Sequence, residues 1–260
     1  MLGAIIGDII GSVHEGADTK VKDFPLFVDG CSFTDDTVLS VAVADRLLHG
    51  GDYVHLFHDY FHAYPQAGYG GTFIQWALLR QREPYNSWGN GSAMRVSPVG
   101  FACDSLEEVL AEAKRSAEVT HNHPQGIIGA QATAAAVFLA RSGKNKPEIK
   151  AYIESAFGYN LDARLDDIRR VYRFDVSCQG SVPQSIVAFL ESESYEDAVR
   201  NAISLGGDAD TMACIAGGIA EAFFGGVPED IQTEALGLLD KRLRGVVEEF
   251  VERFGKKSEA

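Results

Sequence analysis

The chain has 260 residues, of which 46% are apolar and 23% charged. Those are the proportions of a folded globular protein, and they exclude a disordered or collagen-like chain. Acidic residues number 37 against 23 basic ones, a formal net charge of −14, so no broad positive field exists to hold nucleic acid or an anionic membrane.

The first apolar stretch carries no basic residue before Lys20 and is interrupted by Asp8 and Glu15. A signal peptide is therefore not expected. No stretch offers the roughly 20 mostly apolar residues of a spanning helix. The expectation is a soluble, cytoplasmic monomer. Cys31, Cys103, Cys178 and Cys214 form no CxxC pair, which argues against a zinc ribbon.

The texture is helical, with Ala and Leu recurring at three- and four-residue spacing and little β-branched alternation. Residues 2–13 read as a small-residue helix. Residues 35–49 follow, closed by Gly50-Gly51. Helices over 53–64 and 72–82 flank the turn Gly68-Tyr69-Gly70-Gly71. Residues 106–119 are amphipathic, with Asp104 or Ser105 as the N-cap. Residues 125–140 are small and apolar on nearly every face, the mark of a central helix. Shorter helices are expected over 147–157, 161–172, 182–191 and 195–204. Residues 211–224 are again small and apolar, hence central, and 229–239 and 241–254 close the fold. The expected architecture is all-α, one compact multi-helix domain over 1–255 with a frayed tail at 256–260.

Four polar clusters interrupt this texture, and each is expected at a helix start. Phe33-Thr34-Asp35-Asp36-Thr37 precedes an apolar helix. Thr34 is a good N-cap, and acids in a first turn suit the helix dipole, so capping alone explains this cluster in isolation. Gly206-Gly207-Asp208-Ala209-Asp210-Thr211 repeats the pattern of two carboxylates beside a hydroxyl. If both helix starts converge, four carboxylates share one small volume, an oxygen donor set that suits hard divalent cations. Trp88-Gly89-Asn90-Gly91-Ser92 reads as a backbone anion cradle or as a plain capped turn. Trp88 is either core or a stacking face for a nucleobase. In Thr120-His121-Asn122-His123-Pro124, His121 reads as a substrate contact and His123 as structural. Asp8 and Glu15, seven apart, are expected on one face of the first helix. A carboxylate such as Asp8 in an apolar helix needs a partner or a function.

In this order, Gly3 to Glu15, Phe33 to Thr37, Trp88 to Arg95, Thr120-His121 and Ser204 to Thr211 resemble the ADP-ribosylglycohydrolase family, whose founding type removes ADP-ribose from dinitrogenase reductase. The resemblance implies an all-α fold carrying two Mg²⁺ (or Mn²⁺) ions. Thr34, Asp35, Asp36 and Asp210 would hold one ion, and Asp208, Asp210 and Thr211 the other. Gly89, Asn90 and Gly91 would bind the diphosphate and its ribose, with Ser87, Trp88 and Ser92 beside them and Trp88 against adenine. His121 would touch the distal ribose or phosphate, and Glu15 would sit on a mobile flap. Catalysis would fall to Glu15, Asp35 and Asp36, acting on an ADP-ribosylated protein (serine or another O-linkage, or arginine) or on O-acetyl-ADP-ribose. A non-catalytic ADP-ribose binder on the same scaffold, and a di-metal hydrolase of an unrelated phosphate ester, are the rival readings.

Overall fold

The longest apolar helices take the centre because their small side chains let neighbours approach on every side. A computed structural model describes residues 1–255, so the tail expected at 256–260 lies outside the described residues. In chain order the α-helices are α1 (Leu2–Gly11), α2 (Asp35–His49), α3 (Tyr53–Ala63), α4 (Gly71–Leu78), α5 (Ser97–Ala102), α6 (Leu106–Glu118), α7 (Pro124–Arg141), α8 (Lys146–Phe157), α9 (Leu165–Val171), α10 (Cys178–Leu190), α11 (Tyr195–Ile203), α12 (Ala209–Phe224), α13 (Glu229–Gly237) and α14 (Lys241–Phe254). Three short 3₁₀ turns, at Ser12–His14, Asn90–Ser92 and Met94–Val96, complete the set. The described residues form no sheet, only one isolated antiparallel bridge between Gly89 and Ser177.

α12 is the axis of the molecule. Every residue from Ala209 to Ala220 is buried, and α1, α7, α10 and α11 pack around it. The α1–α12 seam is built from glycine. A Cβ added at Gly3 would lie 2.5 Å from the Gly217 carbonyl oxygen, at Gly7 2.2 Å from that of Ala213, and at Gly11 2.5 Å from Asp210 Cα. These three positions recur every four residues, one stripe along the helix, so the two backbones touch directly. α7, likewise lined with alanine, bears on α5, α6, α10 and α12.

Several boundaries differ from the sequence reading. The first helix stops at Gly11 and tightens into the 3₁₀ turn, so Glu15 leaves the helix altogether and shares no helical face with Asp8. Gly89 to Val96 forms two 3₁₀ turns instead of a helix start. The unforeseen α5 follows, entered at Ser97-Pro98. α9 begins at Leu165, after the extended Arg164. α10 begins at Cys178, with Ser177 accepting from the Gly180 N–H at 3.0 Å, so Pro183 lies inside the helix. Of the two N-cap candidates for α6, Asp104 and Ser105, it is Ser105 that caps.

Candidate active site

Two helix starts and one loop meet around a cavity of about 340 Å³, lined among others by Glu15, Asp35, Asp36, Asp208, Asp210 and His121. That is room for a small organic ligand.

The α2 start is held by Asp8, the carboxylate that the sequence left without a partner. Asp8 is fully buried. It accepts from the Thr34 N–H at 3.0 Å, the Thr34 hydroxyl at 2.6 Å, the Thr37 N–H at 3.1 Å and the Thr37 hydroxyl. It therefore caps α2 from a neighbouring helix. Thr34 Oγ1 also accepts from the Asp36 N–H at 3.3 Å. The backbone donors of the first turn are satisfied without Asp35 or Asp36, and Asp36 Oδ1 is buried with no hydrogen-bond partner among the described residues.

The α12 start is presented by a different device. Gly206 and Gly207 both have left-handed backbones, φ 72° and 75°, a conformation that favours glycine. Asp208 follows at the N-cap position, yet its side chain makes no capping bond. Its Oδ2 accepts instead from Asn90 Nδ2 at 2.7 Å. Asp210 Oδ1 accepts from the Thr211 N–H at 2.9 Å, and the Thr211 hydroxyl donates to Asp36 Oδ2 at 3.3 Å. That last bond joins the two helix starts.

The two helix starts thus converge, with Asp36, Asp208 and Asp210 joined by Asp8 and Glu15, while Asp35 lines the cavity but belongs to neither close carboxylate group. One carboxylate oxygen from each of Asp8, Asp36 and Asp210 lies within 4.8 Å of the others, and the same is true of Glu15, Asp208 and Asp210. Asp210 belongs to both groups. Like charges this close, taken out of water, resist ionisation. Burial first, then Asp8 and Asp208, push the Asp35 carboxyl well above its usual range. Burial, Asp8 and then Asp210 do the same for Asp36, and burial followed by Asp208 for Asp210. Burial raises Asp208 despite its hydrogen bonds. Glu15, at the exposed mouth, is raised by burial and then by Asp208 and Asp8. The Gly16 N–H donates to the Gly207 carbonyl at 2.8 Å, which fastens the Glu15 turn to the segment delivering Asp208.

The facing wall is the loop 87–91. Three of its N–H groups are already used, Ser87 toward the Thr120 carbonyl at 3.4 Å, Gly89 toward Ser87 Oγ at 3.1 Å and Asn90 toward the Val176 carbonyl at 2.8 Å. The cradle therefore offers fewer backbone donors than the sequence suggests. Ser87, Gly89, Asn90 and Gly91 line the cavity. Trp88 stands outside that lining, 54% exposed, with its ring 5.7 Å from His123. Ser92 turns away: it is buried under the loop and donates to the Gly126 carbonyl at 2.7 Å. His121 is buried and faces the cavity, whereas His123 caps α7 by accepting from the Gln125 N–H at 3.1 Å. Burial, then the nearby Arg95, hold the His121 imidazole well below its usual pKa.

The sequence reading assigned no role to Arg95, Tyr85, Val176 or the Gly68–Phe73 segment, all of which contribute lining residues. Arg95 left one signal, a lone cation among apolar neighbours. The others left none that is local.

The sequence matches the profile of the ADP-ribosylglycohydrolase family over residues 1–260. It is 30% identical to ADP-ribosylhydrolase ARH3 of Homo sapiens, over 91% of this chain and 88% of that protein. It is 25% identical to ADP-ribosylarginine hydrolase Tri1 of Pseudomonas putida (strain GB-1), over 88% of this chain and 71% of that one. A solved structure described as an ADP-ribosylglycohydrolase-related protein complex superposes with a TM-score of 0.67 at 22% identity, covering 98% of this chain and 97% of the other. That likeness is one of fold.

Proposed function

The chain belongs to the ADP-ribosylglycohydrolase family and is a glycosidic-bond hydrolase, and from that premise we propose that it is a divalent-cation-dependent ADP-ribosyl hydrolase. The bond cleaved is the one between C1 of the distal ribose and the acceptor. The observation that carries this reading is the convergence of Asp36, Asp208 and Asp210, with Glu15, from three separated segments onto one cavity.

The donor set fits hard cations. It consists of carboxylate and hydroxyl oxygens, it includes the unpartnered Asp36 Oδ1, and its acids resist ionisation unless a counter-charge is supplied. Thr34, Asp35, Asp36 and Asp210 are the proposed holders of one ion, and Asp208, Asp210 and Thr211 of the second. The presence of Asp210 in both carboxylate groups supports a shared ligand. Mg²⁺ or Mn²⁺ suits this oxygen set. Such ions would supply Lewis-acid chemistry, orienting the ribose hydroxyls and making water a nucleophile at neutral pH.

The protein's own groups do the rest. Asp35 and Asp36 line the cavity where positive charge grows on the ribose as its bond to the acceptor breaks, and they stabilise that charge. Glu15 is the proton carrier: it sits at the mouth, and its raised pKa keeps it nearer the working pH than an ordinary glutamate. Ser87, Gly89, Asn90, Gly91 and His121 bind the diphosphate side, with Ser92 supporting the loop from beneath and Trp88 on the rim for the base.

Peptides ADP-ribosylated on serine or on arginine, and O-acetyl-ADP-ribose, should be incubated with the protein in Mg²⁺ and in chelator. Release of free ADP-ribose, followed by mass spectrometry, is expected from at least one substrate and only with metal. Tight ADP-ribose binding without turnover of any substrate would instead identify a binder. Phosphate release without ADP-ribose would identify a phosphoesterase.

A further inference from the structure

Arg95 is fully buried; among the described residues its hydrogen bonds go to Ser116 and Thr120, none to a carboxylate, and Nη1 has no partner. Its guanidinium lies 4.5 Å from the centre of the Phe57 ring. Nε donates to Ser116 Oγ at 3.3 Å, and Nη2 donates to the Ser116 carbonyl at 2.6 Å and to Thr120 Oγ1 at 3.0 Å. Thr120 is itself wholly buried, and its Oγ1 lies 2.8 Å from His121 Nδ1. We propose that Arg95 and Thr120 are positioning residues that fix the ring proton of His121 on Nε2, so that His121 meets its ligand as an N–H donor. The inference rests on reading the cavity as an ADP-ribose site.

Proton accounting gives the direction. A guanidinium only donates, so Thr120 Oγ1 accepts in its bond to Arg95. The hydroxyl proton then needs an acceptor of its own in a dry interior. His121 Nδ1 is the acceptor bonded to it. Were Nδ1 protonated, Oγ1 would accept twice and its own proton would have only the Tyr85 phenol to turn to. Nδ1 therefore accepts, and the ring hydrogen sits on Nε2. That nitrogen is aimed at the loop: a Cβ at Gly91 would lie 3.2 Å from it, and one at Gly89 3.6 Å. Burial and Arg95 disfavour a second ring proton. The result is an uncharged donor directed where phosphate or ribose oxygens would sit. The rival acceptor is the Tyr85 phenol beside Thr120. A hydroxyl turned that way would move the ring proton to Nδ1 and leave Nε2 as a bare acceptor that repels phosphate.

Nuclear magnetic resonance of protein labelled with ¹⁵N-histidine tests this, with the His121 signals assigned by their loss in His121→Gln. The wild type should show a protonated Nε2 and a bare Nδ1. Thr120→Val keeps the shape and deletes the hydroxyl. It should give mixed tautomers and raise the dissociation constant for ADP-ribose about tenfold by calorimetry, the effect of one polar hydrogen bond, with Mg²⁺ binding unchanged. Thr120→Ser should restore both. A protonated Nδ1 in the wild type overturns the proposal, and so does an unchanged tautomer in Thr120→Val, even if affinity falls. Should Thr120→Val not fold, the wild-type spectrum together with Thr120→Ser decides. Failure of the wild type to bind ADP-ribose, with Nε2 protonated, would overturn the ligand reading and support the relay.

Discussion

The starts of α2 and α12 look alike in sequence, two acids and a hydroxyl at the head of an apolar helix, yet they are built differently. At α2, capping is done by Thr34 from within and by Asp8 from α1. At α12, the N-cap residue Asp208 does not cap, and it is held from outside by Asn90. The two arrangements reach the same end. Acids at helix starts ordinarily relieve the free N–H groups of the first turn. Here Asp36 is spared that duty by other residues and Asp208 does not perform it, so both carboxylates are available to a ligand.

The largest expected effect falls on the Asp8 side. Asp8→Ala strands the two buried donors of Thr37 and frees the two half-buried donors of Thr34, at about 1–3 kcal/mol for each buried one. We expect a loss of about 4 kcal/mol in urea unfolding. Asp208→Ala removes a repelling charge and no cap, and the single donor it frees, Asn90 Nδ2, lines the cavity, so it should stay within about 1 kcal/mol of wild type. Equal losses would show that the two starts are held in the same way.

Next in size is catalysis. Asp210 belongs to both carboxylate groups. Asp210→Ala should lower turnover by at least about 100-fold, while the metal-free melting temperature holds or rises. Near-normal turnover in Mg²⁺ would remove Asp210 from the shared position.

The smallest effect is a dependence on pH. An unfolded aspartate titrates near pH 4. In the fold, Asp35, Asp36 and Asp210 lie well above that range, and Asp8 and Asp208 are raised. From about pH 4 upward the metal-free fold therefore holds more protons than the unfolded chain. The stability tied to these acids is complete below about pH 4 and is lost as pH rises through the raised values. Divalent ions compete with those protons. Stabilisation by Mg²⁺ should be small near pH 5 and grow toward pH 8, reaching about 2.7 kcal/mol at 100 times the dissociation constant. Thermal melts in chelator and in Mg²⁺ across that range measure it, and a shift that is flat with pH would break the link between the two acid pairs.

What the sequence made legible was local. Apolar spacing located α6, α7 and α14 to within a residue or so, because each start is set locally: Ser105 caps α6, and the structure shows Pro124 opening α7 and Asp240 capping α14. α5 was missed because a six-residue helix holding Pro98 and Gly100 carries too little periodicity to register. The α10 start was misplaced because Pro183 suits a first turn better than the interior it occupies. At the site, the sequence supplied the acids, and their convergence depended on how the helices pack. Asp8 was recognisable as a buried charge in need of partners, but nothing near it in sequence points to Thr34 and Thr37. The same holds for the Asn90–Asp208 bond, which joins two segments that only the fold brings together.

The glycine seam between α1 and α12 reverses a familiar engineering rule. Exchanging a mid-helix glycine for alanine is ordinarily a safe route to a sturdier protein, gaining roughly 0.5–1 kcal/mol. At Gly3, Gly7 and Gly11 one methyl group would collide with the backbone of α12 or its Cα. The Gly11 collision is with Asp210 itself. α1 thus acts as a gauge block for the acid cluster: its bare face sets how far α12 stands off, and any thickening there would be transmitted to the carboxylates as misalignment.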